Sequence, residues 1–232
     1  MEPITTIKSS DRVFIAGKTG SGKTFLARHL TRKLPRLVVL DGKGSLSDWN
    51  LIPWDGNTRR ALIAGEPVRS RVTAPLKGDV KEFWETVLGL CYFAGDLTIY
   101  IDEVYAITPP NTNPGPNLWA CYTRGREFGV GVWSSTQRPV WIPLISMSEA
   151  EHYFCFRLNL GEDRKRLSAF MGEPVLTPIP DEHGFYYSRA EWDKPIYKTK
   201  LTPGETIPVE INKPAPNPNR PELDRINRRR TI

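Results

Sequence analysis

Short runs of consecutive apolar residues recur along the chain, and between them apolar positions return every three or four residues. Arg12–Ala16, Leu37–Leu40, Leu97–Ile101, Val130–Ser134 and Tyr153–Leu158 are runs of the first kind. Such runs, bounded by polar residues, Gly or Pro, predict strands buried on both faces. Lys23–Leu34 has apolar residues at 25, 26, 30 and 34 and is stopped by Pro35, which predicts a helix. Asp79–Leu90, Leu118–Phe128 and Glu162–Met171 read as further helices, and Arg71–Ala74 as a further strand. The polar, Trp-containing stretch up to about residue 68 receives no element, and Pro109–Pro116 reads as a loop. Phe185–Tyr187 and Ile196–Lys200 predict a terminal hairpin. Strands alternating with helices predict an α/β fold, its mostly parallel sheet covered on both faces.

Periodicity fades at Pro203. Of the 21 prolines in 232 residues, six lie from Pro203 onward, and the chain closes on Arg228, Arg229 and Arg230. This divides the sequence into a domain, 1–202, and an extended basic arm, 203–232, outside the core. A chain of this length buries about 70% of its unfolded surface and needs no disulfide or metal staple. Three distant cysteines (91, 121, 155) and three histidines (29, 152, 183) make no metal or disulfide framework, which favours a reducing compartment. No apolar run is long enough to span a membrane and no signal peptide is visible, so the expected location is cytoplasmic. The net charge of +6 permits a polyanionic partner without requiring one.

Between the first strand and the first helix lies Gly17-Lys18-Thr19-Gly20-Ser21-Gly22-Lys23-Thr24, a Walker A pattern. Glycines let backbone N–H groups curl around phosphate oxygens, and a helix N-terminus favours the anion. Lys23 is placed to reach the β- and γ-phosphates of ATP, and the Thr24 hydroxyl to ligate Mg²⁺. The apolar strand Leu97–Ile101 ends in Asp102-Glu103, a Walker B reading. Asp102 would hold Mg²⁺ through water, and Glu103 would orient and polarise an attacking water, which suits hydrolysis. The strand from Val130 ends in Thr136-Gln137-Arg138-Pro139, where the Gln137 amide could sense the γ-phosphate or merely close a turn.

These three motifs in this order resemble the FtsK–HerA superfamily of DNA-pumping ATPases. The segment Arg124-Gly-Arg-Glu-Phe-Gly-Val-Gly-Val-Trp-Ser-Ser-Thr-Gln-Arg-Pro carries the likeness most specifically, and it extends over about residues 10 to 190. The resemblance implies a RecA-like core with an additional strand and a catalytic glutamate, working as a ring, usually a hexamer, around double-stranded DNA. It also implies an arginine entering the neighbour's ATP site: Arg126 by position, with Arg124 as substitute. A bare motor of this size is similar to the genome-packaging ATPases of tailless, internal-membrane icosahedral viruses. That would make capsid or portal vertex proteins partners and the host cytoplasm the location.

The residues that grip DNA are less legible. The loops Lys43–Arg60 and Tyr105–Asn117 are candidates, as phosphate contacts need only Lys, Arg or backbone N–H groups. Trp49 and Trp54 read as packing residues before base-stackers. Arg164, Lys165 and Arg166 read as a solvated helix face that could also complete a neighbour's ATP site. The competing readings are a HerA-like or conjugation-type DNA motor, a P-loop small-molecule kinase, and an assembly factor held together by ATP. Preference for ATP over GTP is open, since no base-reading motif is identifiable.

Overall fold

The computed structural model describes residues 6–46, 49–110, 112–191, 196–200 and 205–211. In chain order the first half contains β1 (Ile7–Lys8), β2 (Arg12–Ala16), α1 (Lys23–Thr31), β3 (Arg36–Asp41), β4 (Ile52–Pro53), α2 (Gly56–Ala64), β5 (Val68–Thr73), α3 (Val80–Ala94) and β6 (Leu97–Ile101). The second half contains α4 (Val104–Ile107), α5 (Pro116–Arg124), β7 (Val130–Thr136), α6 (Ile145–Ser148), β8 (His152–Phe156), α7 (Gly161–Met171), β9 (Gly184–Arg189), β10 (Tyr197–Lys200) and β11 (Val209–Glu210). Nine of these strands form one sheet in the order β10-β9-β8-β2-β7-β6-β3-β5-β4. Every pairing from β8 to β4 is parallel, and the β8-β9-β10 margin is antiparallel. Strand β7 lies between β2 and β6, so an additional strand separates the strand before the Walker A loop from the strand before Asp102.

The central strands are buried on both faces, which is why they read as unbroken apolar runs. Alternate side chains feed two cores. Val13 and Ile15 of β2 pack with Leu26, Ala27 and Leu30 of α1. Phe14 and Ala16 point the other way, into the core that includes Trp84, Leu88 and Cys91 of α3 and Leu118 and Cys121 of α5. The three cysteines are buried and free. Among the described residues, no helix is long and apolar enough to cross a membrane.

Three expectations change. The unassigned stretch before residue 68 contains β4 and helix α2, capped by Asp55, whose carboxylate accepts from the Thr58 N–H, and closed by Gly65 at φ 85°. The helix expected over Leu118–Phe128 is α-helical only to Arg124 and continues as a 3₁₀ turn, Gly125–Phe128. The arm's first part belongs to the core: β11 pairs in parallel with β1, and Ile207, 7% exposed, joins the cluster around α1. An apolar side chain with a two-residue ladder beside it is enough to seat this segment, although its sequence has no period. The boundary at Pro203 and the terminal arginines lie outside the described residues.

Candidate nucleotide site

Helix α1 begins without a side-chain cap: Gly22 stands at its N-cap with φ 106°. Its first backbone N–H groups are therefore left for a ligand. The loop from Gly17 is shaped by close approach. A Cβ at Gly17 would lie 2.6 Å from the Phe156 Cβ and 2.7 Å from the Ser21 Oγ. The Ser21 Oγ is buried and has no hydrogen-bond partner among the described residues. An orphaned hydroxyl, an uncapped helix start and a glycine cradle together fit a polyphosphate.

Lys23 Nζ donates to the Lys18 carbonyl at 3.0 Å, across the loop. Burial pulls its pKa down to about 8, although the carboxylates of Glu103 and Asp102 act to raise it. The Thr24 side chain is exposed on the first turn of α1, open to a metal-bound ligand. Asp102 and Glu103 follow β6 directly, so the parallel sheet delivers them to the same end as the loop. Burial raises the pKa of both carboxyls. The Tyr100 hydroxyl donates to Asp102 Oδ1 at 3.1 Å. Glu103, 2% exposed, accepts from the Gln137 backbone N–H at 3.3 Å and faces Lys43 Nζ at 3.4 Å. Thr19 Oγ1 donates to Gln137 Oε1 at 2.8 Å. The side chain at the end of β7 thus touches the Walker A loop, and its backbone touches Glu103.

The two arginines lie elsewhere. Arg124 and Arg126 precede β7, at the end of the sheet away from the loop, about 20 Å distant by strand length. Arg126, 57% exposed, pairs with Glu151 at 2.7 Å, and Arg124 lies over the Tyr92 ring at 6.0 Å. Neither can serve the site of its own chain.

Other candidates are also placed. Trp49 stacks on Tyr100 with ring centroids 5.2 Å apart, a packing role, and Trp54 packs partly buried on the core. Arg164 donates to the carbonyls of Leu158, Asn159 and Leu176, closing the end of β8 onto α7, so this cluster is not simply a solvated face. His152 bridges Asp11 and Tyr187 in the interior.

Three residues at the site escape a reading by motif. Lys43, weighed above only as a DNA contact, pairs with Glu103. Asp41 is fully buried and accepts from the Ser45 and Leu46 N–H groups, fixing the turn that carries Lys43. Arg157 follows β8, and its carbonyl accepts from the Lys18 N–H at 2.8 Å, with the side chain lining a hollow beside Gly20 and Ser21. A basic residue directly after an apolar strand was its visible signal.

No family model matches the chain. Over 196 residues it is 28% identical to the DNA packaging ATPase P9 of Enterobacteria phage PRD1, covering 76% of this chain and 81% of that protein. This chain is a homologue of a phage packaging ATPase. Its fold matches the genome packaging NTPase B204 of Sulfolobus turreted icosahedral virus 2, solved with AMPPCP. The TM-score is 0.69 at 18% identity, over 84% of this chain and 99% of B204. The conjugation coupling protein TcpA of pCW3, bound to ATPγS, aligns less closely, with a TM-score of 0.55 at 13% identity over 83% of this chain and 60% of TcpA.

Proposed function

We propose that this chain is the ATP-hydrolysing motor of a virus, a translocase that drives double-stranded DNA into a preformed capsid. The observation that carries the reading is the meeting of Lys23, Glu103 and Gln137 at one end of the sheet, in a homologue of a packaging ATPase. Bound Mg²⁺–ATP supplies the anhydride to be cleaved and a cation that neutralises its charge. The α1 N-terminus and Lys23 hold the phosphates, and Thr24 and Asp102 are the residues for the metal. Glu103 orients water as its general base, and Gln137 links that carboxylate to the loop. Arg126, or Arg124 in its place, serves a neighbouring copy, so hydrolysis requires a ring, for which a hexamer is the expected size. A guanidinium there stabilises charge on the transferred phosphoryl group. Capsid vertex proteins are the remaining partners, and the host cytoplasm is the place of work.

The deciding experiment is steady-state ATPase activity with and without linear duplex DNA across a protein concentration series. Activity should rise faster than protein concentration and increase with DNA, and Glu103→Gln should bind ATP while losing at least about 100-fold in turnover. Full activity in Glu103→Gln, or a flat profile indifferent to DNA, would count against the motor.

A further inference from the structure

Along β6 alternate side chains take opposite faces of the sheet. Ile99 and Ile101 enter the core shared with α3, whereas Tyr100 enters the one shared with α1. The same alternation puts Asp102 on the α1 face, where Thr24 stands on the first turn. Tyr100 is fully buried, its ring stacked on Trp49. The phenol oxygen lies 3.1 Å from Asp102 Oδ1 and 3.1 Å from Ser135 Oγ. Ser135 Oγ itself donates to the Asp102 carbonyl at 2.5 Å, so its own proton is engaged. The phenol has one proton for two acceptors. A hydrogen bond to a carboxylate is roughly twice as strong as one between neutral groups, so the proton goes to Asp102. Among the described residues, no other side chain donates to that carboxylate. The apolar run Leu97–Ile101 gives no sign of this role, since burial alone accounts for Tyr100 there.

We propose that Tyr100 is a positioning residue for the metal: its hydroxyl holds one oxygen of Asp102 and leaves the other for Mg²⁺ and its bound water. This rests on the reading of Asp102 as the metal carboxylate and adds the group that orients it. Two cations also act on Asp102, Lys23 and Lys43, and a carboxylate on so short a side chain can turn toward either. The phenol opposes that turning, because its ring is fixed against Trp49 and the core around α1. Burial pushes the phenol pKa well above its ordinary value, so the group remains a proton donor at any working pH. Ser135 lies on β7, the strand that leads to Gln137, so the same network ties the metal carboxylate to that strand. Groups that hold a metal ligand in this way change metal affinity about 10- to 100-fold. Asp102 acts through water, which places Tyr100 at the lower end of that range.

The test is Tyr100→Phe in the full chain, which removes one oxygen and keeps the ring against Trp49; melting by circular dichroism verifies the fold. Mn²⁺ replaces Mg²⁺, so that its binding is followed by electron paramagnetic resonance. Mn²⁺ should bind the Tyr100→Phe complex with the non-hydrolysable analogue AMPPCP about tenfold more weakly than the wild-type complex. Calorimetry in EDTA should give both chains the same affinity for AMPPCP. In an Asp102→Asn background, Tyr100→Phe should weaken Mn²⁺ no further, since the hydroxyl acts only through that carboxylate. Equal Mn²⁺ affinity in the two chains, equal weakening of AMPPCP with and without metal, or a further loss in the Asp102→Asn background would overturn the positioning role and leave the metal site standing. A wild-type complex that holds Mn²⁺ no more tightly than AMPPCP alone does would instead overturn the assignment of Thr24 and Asp102 to the metal.

Discussion

The ammonium of Lys23 lies under the loop it serves, and burial leaves it a pKa of about 8. Near pH 8 about half of these side chains are neutral in the free protein. A bound triphosphate favours the charged form and raises that pKa, so nucleotide binding takes up a proton. Uptake should be largest above about pH 8 and vanish near pH 6.5, where Lys23 is already charged. Titration calorimetry in buffers of different ionisation enthalpy reads it directly, and zero uptake at pH 8.5 would remove this role. Arg36 shows the opposite use of a buried cation. It donates to the carbonyls of Leu62, Glu66, Gly95 and Asp96, around the C-terminal ends of α2 and α3. Helix C-termini favour a positive charge, and a guanidinium can meet four carbonyls at once. Arg36→Met should cost about 3 kcal/mol in urea unfolding, because the carbonyls stay buried after their donor has gone.

At the scale of elements, β7 is tied to the turn before β2 by backbone contact. A Cβ at Gly131 would lie 2.0 Å from the Ser9 carbonyl oxygen, while Thr98 Oγ1 and Trp133 Nε1 donate to the Ser9 and Asp11 carbonyls. Gly131→Ala must push that turn away and should destabilise by about 3 kcal/mol. The seat of β11 is tested by a pair of variants: Ile207→Ala should lower stability by about 2 kcal/mol, whereas Ile211→Ala, half exposed, should be nearly neutral. These elements also show what a sequence can and cannot disclose. Strands β2, β3, β6 and β7 were legible because burial on both faces demands apolar runs. Helix α2 was not, since within Gly56–Ala64 only Thr58 and Leu62 are fully buried, and its apolar residues run together as Ala61–Ala64 without a helical period. Its Asp55 cap and Gly65 stop were the readable signs. The Walker residues were legible because one contiguous loop does the work. A cavity beside that loop, walled by Phe25, Phe156, Phe185 and Lys200, was hidden, because these residues meet only through the sheet order.

For the whole molecule, the arrangement of the two arginines sets the test of assembly. A chain carrying Lys23→Ala and a chain carrying Arg126→Ala should each be nearly inactive. Mixed, they should regain part of the ATPase activity if, as proposed, a Lys23 from one and an Arg126 from the other complete a site between them. No recovery on mixing would assign Arg126 to its pairing with Glu151 alone.

Strand β7 holds Gln137 at one end and follows directly from Arg124 and Arg126 at the other. It is buried along its whole length, hydrogen-bonded to β2 on one side and β6 on the other. Such a strand cannot stretch or buckle alone, so its two ends share any tilt. In the ring proposed above this becomes a matter of timing: loss of phosphate beside one Gln137 would shift the arginines offered next door, and neighbours would fire in turn.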